Sequence, residues 1–117
     1  MDIEQSRRDR MTDSLADQLS PDDIAALSGP TLLEFGTTWC GHCAAAQPLI
    51  ALAVARHPKV RHIKQEDGPG RRLGRAFRVK LWPTLVFLRD GQEVSRLVRP
   101  PDTEAIELGL AGIDVAP

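Results

Sequence analysis

Thr31-Leu32-Leu33-Glu34-Phe35-Gly36-Thr37-Thr38-Trp39-Cys40-Gly41-His42-Cys43 is the stretch on which the reading of this chain turns. Its first half, Thr31 to Gly36, has the apolar density of a buried strand, and the run that follows, Ala44 to Arg56, reads as a helix. The two cysteines, the full complement of the sequence, therefore sit where a strand hands over to a helix. At a helix start the backbone N–H groups lack internal partners and the dipole is positive, which favours a thiolate at Cys40. Cys43 follows almost one turn later on the same face, within reach of a disulfide. A reversible dithiol is the chemistry this spacing supports.

Outward from that centre, Glu34 is the anomaly of its strand. An ionised, unpaired carboxylate costs several kcal/mol to bury, so this one is expected to be protonated or solvated through a crevice. Pro48 lies inside the helix pattern and predicts a kink, not a break; His57-Pro58 ends the helix. Val60 to about Gln65 is a weakly alternating strand. Asp67-Gly68-Pro69-Gly70 is a turn, and Arg71 to Phe77 a short helix with Leu73 and Phe77 on one side. Thr84 to Leu88 is a second apolar strand, and Asp90-Gly91 carries a two-residue hairpin signal into a returning strand, Glu93 to Val98. Asp102 or Thr103 caps a last helix reaching about Leu110. Upstream, Ser20-Pro21-Asp22-Asp23 opens a short helix to Leu27. This order predicts an α/β fold, a central mixed β-sheet flanked by helices on both faces.

At 117 residues the chain is long enough for one core and too short for two. We divide it into an N-terminal arm, 1–19, expected to be flexible with a short element near Thr12 to Gln18, a domain, 20–112, and a tail, 113–117. A net charge of −1 gives no global attraction to nucleic acid or anionic lipid. The charged N-terminus lacks the apolar core of a secretory signal, and no run is long enough to span a membrane, so a cytoplasmic location is expected. In that reducing compartment a lone Cys-x-x-Cys points to redox work more than to a staple.

With the dithiol, Pro48 and Trp82-Pro83-Thr84 in view, the chain resembles the thioredoxin family. The resemblance runs from about Pro21 to Gly112 and rests on five features in register. They are Glu34 six residues before Cys40, Trp39 beside it, Pro48 five after Cys43, Pro83 opening the strand, and the Asp90-Gly91 turn. It implies a thioredoxin fold and a thiol-disulfide oxidoreductase that reduces protein disulfides and contributes to cell redox homeostasis. It further implies Cys40 as nucleophile, Cys43 as resolving thiol and Glu34 as proton relay to Cys43. Pro83 would be cis, presenting the backbone of Trp82 to a substrate peptide, with Trp39, Gly41 and His42 completing the substrate-binding surface. No cofactor is implied beyond the dithiol itself. The implied partners are disulfide-containing proteins and an upstream disulfide reductase, and the chain is expected to act as a monomer.

Three features depart from that pattern. Gly41-His42 between the cysteines resembles protein disulfide isomerases; a positive imidazole near Cys40 would stabilise thiolate and make the couple more oxidising. Gly36 stands where thioredoxins usually carry an aromatic, and Arg99-Pro100 replaces a glycine-containing turn. A disulfide oxidase or isomerase is therefore an alternative, as is a scaffold or chaperone whose dithiol is dispensable. A metal module is a weaker one, because two cysteines and the scattered His42, His57 and His62 do not supply four ligands at a usual spacing. His57 and His62 are read as structural. The run Arg71, Arg72, Arg75, Arg78 and Lys80 reads as a solvated face, with Lys80, Trp82 and Arg99 near the substrate groove.

Overall fold

The computed structural model describes residues 19–115; the arm and its expected element at Thr12 to Gln18 lie outside them. Eight elements follow the expected order. They are α1 (Pro21–Ala25), β1 (Pro30–Gly36), α2 (Gly41–Ala55), β2 (Arg61–Glu66), α3 (Arg72–Ala76), β3 (Thr84–Arg89), β4 (Gln92–Val98) and α4 (Thr103–Ile113).

The ends of these elements follow local chemistry. Ser20 closes a capping box with Asp23 ahead of Pro21, and Asp102 Oδ1 accepts from the N–H of Ala105 to start α4. Asp90 and Gly91 both take positive φ (52° and 78°), the backbone of a tight hairpin joining β3 to β4. Helix α2 runs through Pro48 as one element. It starts three residues earlier than the apolar run suggests, because Cys40 itself is its cap.

The sheet order is β2-β1-β3-β4, with β1 parallel to β2 and the other pairs antiparallel. Strand β1 is central and buried on both faces. On one face Leu32, Leu85 and Phe87 pack with Ala46, Ile50 and Ala53 of α2 and Ile106, Leu110 and Ile113 of α4. On the other, Leu33, Phe35, Val86 and Leu88 pack with Ile24 of α1 and Leu73 of α3. Burial of large side chains at about 1.5–3 kcal/mol each on both faces anchors β1, and the C-terminal end of β1 delivers the cysteines. Among the described residues no helix is long and apolar enough to cross a membrane.

Candidate active site

Cys40 is the N-cap of α2, in an extended conformation (φ −86°, ψ 117°), and its sulfur accepts from the N–H of Cys43 at 3.2 Å. Both cysteines are free thiols; Cys40 is partly exposed and Cys43 buried. The two sulfurs therefore meet different surroundings. Partial burial works against charge on Cys40, but hydrogen bonds from the Cys43 thiol and from the N–H groups of Cys43 and His42 outweigh it. The Arg99 cation adds to them, and the net effect holds Cys40 below the ordinary thiol value. Burial pushes the Cys43 thiol up to about 11, reinforced by the neighbouring Cys40 and Glu34 charges and opposed by the N–H of Thr37.

Two contributions at Cys40 lie outside the sequence reading. His42 acts through its backbone N–H, and the charge that acts on the sulfur comes from Arg99.

Glu34 is 5% exposed and has side-chain partners on both oxygens. Burial raises its proton affinity, yet the bonds from His62 and Gln47 and the positive charges of His62 and Lys64 outweigh that and hold the carboxyl below its usual value. His62 Nε2 lies 2.8 Å from Oε1 and Gln47 Nε2 donates to Oε2 at 2.7 Å. Of the two expectations for this carboxyl, protonation or solvation through a crevice, the cavity that it lines matches the second, and β2 and α2 add partners that the sequence reading did not name. The parallel register sets Leu32 beside His62 and Glu34 beside Lys64, so all three polar side chains share one face. Lys64 Nζ donates to Gln47 Oε1 at 2.8 Å, which leaves the direct contact with Glu34 to His62. A cavity of about 340 Å³ is lined by Glu34, both cysteines, Gln47, Lys64 and Glu66. It links the carboxylate to both sulfurs and, being open, to solvent.

Gly36 also lines this cavity, and a Cβ there would come within 2.8 Å of Cys43 Sγ. The residue is glycine because the buried sulfur occupies the space of its side chain. The Trp82–Pro83 peptide is cis. The carbonyl oxygen of Trp82 accepts from Arg99 Nε at 2.9 Å and faces Cys40 Sγ at 3.9 Å. Trp82 Nε1 donates to Asp67 Oδ2 at 2.8 Å, and its ring meets Trp39 edge-on at 5.4 Å. Trp39 is 73% exposed, leaving its other face to solvent beside the sulfurs.

Cys40, Cys43 and Glu34 thus line one opening, the Trp82 carbonyl reaches Cys40 and the Trp82 ring meets Trp39, and Gly41 and His42 are exposed on the first turn of α2. His57 pairs with Asp114 at 2.7 Å, which matches its structural reading. Sequence reasoning missed Gln47 and Asp67 and treated His62 as scaffold. The available signal was the parity of β2, which puts His62 and Lys64 on the Glu34 face once the pairing register is known.

A buried thiol that holds its proton tightly behind a partly exposed, acidified one, at the end of a mixed sheet with a cis X-Pro peptide facing it, defines a dithiol–disulfide oxidoreductase. Comparison with known proteins gives the same class. The thioredoxin family model matches residues 13–111. Thioredoxin from Chlamydia trachomatis is 33% identical over 85 residues, 73% of this chain and 81% of that protein. The structure of reduced thioredoxin 2 from Pseudomonas aeruginosa superposes with a TM-score of 0.74 at 57% identity, covering 82% of this chain and 89% of that one. A thioredoxin from Nicotiana alata superposes with a TM-score of 0.69 at 26% identity, covering 82% and 83%. The chain belongs to the thioredoxin family. It is a thiol-disulfide oxidoreductase of the thioredoxin type, with disulfide-containing proteins as the substrate class.

Proposed function

We propose that Cys40 is the attacking sulfur and Cys43 the resolving one in the reduction of protein disulfides. The Cys40 thiolate attacks one sulfur of the substrate disulfide, forming a Cys40–substrate disulfide and releasing the other substrate sulfur as thiolate. Cys43 then gives its proton to the Glu34 carboxylate and attacks Cys40 Sγ. The Cys40–Cys43 disulfide forms and the second substrate thiolate leaves. Two electrons pass from the protein dithiol to the substrate, and each released thiolate takes a proton from water. The observation that carries this reading is the opposite displacement of the two thiols, the exposed one acidified and the buried one pushed up to about 11.

Trp39, Gly41, His42, Trp82 and Pro83 form the substrate-binding rim in this reading, with Trp39 offering the exposed apolar contact. No bound cofactor takes part. A separate dithiol reductase regenerates the chain, which works as a monomer in the cytoplasm. The test is a pair of variants in an insulin-reduction assay with mass spectrometry. Cys40→Ser abolishes turnover, while Cys43→Ser accumulates mixed disulfides; full activity of Cys40→Ser overturns the assignment.

A second reading, net oxidation or isomerisation, is favoured by the same stabilised Cys40 thiolate, since stabilising the reduced form raises the potential. Equilibration with glutathione separates the two directions.

A further inference from the structure

Trp82 is held at three points, and one of them has no part in the sulfur chemistry. Its carbonyl meets Cys40 Sγ and Arg99 Nε, its ring meets Trp39 edge-on, and its indole Nε1 donates to Asp67 Oδ2 at 2.8 Å. Asp67 is half-buried in the turn that follows β2. Its own N–H donates to the Gly36 carbonyl at 2.9 Å, which fixes its main chain to the end of the strand that delivers the cysteines. A Cβ on the buried Gly74 of α3 would collide with the Asp67 carboxyl, so glycine there leaves the carboxylate its room. Among the described residues, the bond to Trp82 is the one side-chain hydrogen bond this carboxylate makes. Asp67 is thus a strut from the end of β1 to the indole of Trp82.

We infer that Asp67 is a positioning residue that sets the Trp82 indole for protein partners and so favours protein disulfides over small ones. The inference rests on the reading of Trp39 and Trp82 as substrate-binding residues. The last torsion of an indole side chain lies in a broad well, and a carboxylate is a strong acceptor, so the bond selects one ring orientation. That orientation puts Trp82 edge-on to Trp39, whose other face is open at 73% exposure. A polypeptide laid across both rings then meets a surface already ordered, and the freedom that would be lost in ordering it on association is not lost again. A small disulfide that reaches Cys40 without covering the rings gains nothing from this order.

The reduced full chain is mixed with increasing insulin or with 2-hydroxyethyl disulfide, and its oxidation is followed by quenched alkylation and mass spectrometry. Asp67→Ala is expected to raise the half-saturating insulin concentration about fivefold while the maximal rate holds, the order set by ordering one or two side chains on binding. The ratio of the insulin rate to the 2-hydroxyethyl disulfide rate falls by the same factor. Asp67→Asn, which keeps an acceptor oxygen, restores both. The indole 1H–15N signal of Trp82 moves in Asp67→Ala and returns in Asp67→Asn, a readout that a carboxylate serving only the turn would not shift. Where Asp67→Ala does not fold, Asp67→Ser is the second variant. Equal losses with the two disulfides overturn the inference. So does an insulin curve that superimposes on the wild type in a chain whose Trp39→Ala variant binds insulin weakly, and this result leaves the rim reading standing. A Trp39→Ala variant with the wild-type insulin curve overturns both.

Discussion

The two walls of the opening solve opposite problems. The side made by β1, β2 and α2 is polar, with the buried Glu34 matched to His62 and Gln47 and the exposed Lys64 to Gln47. The wall made by Trp39, the Trp82–Pro83 peptide and Arg99 is exposed and largely aromatic, and Arg99 spends its Nε on a backbone carbonyl. The first wall surrounds the sulfur that must keep its proton until it is needed. The second surrounds the sulfur that must lose its proton early and meet a partner. The lesson is that two thiols three residues apart acquire different acidities from what surrounds each of them, the N–H of His42 between them included.

The largest way to break the comparison is to remove a sulfur. Cys40→Ser is expected to eliminate turnover and Cys43→Ser to leave the first step intact while trapping the partner, as read by mass spectrometry of the adduct.

Next comes filling the buried wall. Gly36→Ala places a methyl group 2.8 Å from Cys43 Sγ, so the sulfur or the strand must move. The expected cost is about 1–3 kcal/mol in denaturant unfolding, typical of overpacking, together with slowed resolution. An unchanged unfolding midpoint would show that the sulfur moves aside freely.

The third test uses pH. The folded chain keeps the Cys43 proton up to about 11, whereas an unfolded chain releases it at the ordinary thiol value of about 8.5. Across that window the unfolded state binds fewer protons, so this thiol's contribution to the stability of the reduced protein is lost as pH rises. Cys40, held below the ordinary value, has the reverse sign: its contribution is present above that value and lost as pH falls. Cys43→Ala is therefore expected to flatten the alkaline decline, and Cys40→Ala to remove the loss of stability that sets in as pH falls below the ordinary thiol value, in equilibrium unfolding against pH.

The smallest effects belong to the exposed wall. Arg99→Ala is expected to raise the pH midpoint of Cys40 alkylation, because a cation that favours the thiolate is gone. Reduction of partners with acidic residues beside their disulfide should slow severalfold with added salt in the wild type and become nearly salt-independent in the variant. Equal salt slopes would remove Arg99 from partner selection.

Legibility in the sequence followed the same division. Strand β1 could be read because it is apolar on both faces, the hairpin because Asp90-Gly91 suits two positive φ values, and α4 because Asp102 is a cap. Strand β2 was faint because it is an edge strand with half-exposed charged side chains, and its burial barely alternates. The sulfur pair and Glu34 were legible from spacing. The partners of Glu34 were not, since they depend on the register between β1 and β2, which no local pattern encodes. Arg99 escaped as the cation acting on Cys40 because it arrives from the end of β4, in a left-handed backbone conformation (φ 51°) that its residue type does not advertise.

The edge-on contact of Trp39 with Trp82 has a practical consequence. These are the chain's two tryptophans, and it has no tyrosine. Light absorbed above 290 nm therefore excites only rings at the rim of the dithiol, one of them hydrogen-bonded to Asp67 and the other open to water. The molecule carries its own optical gauge, in which closing or opening the sulfur bridge, or seating a partner, registers directly in emission without a label.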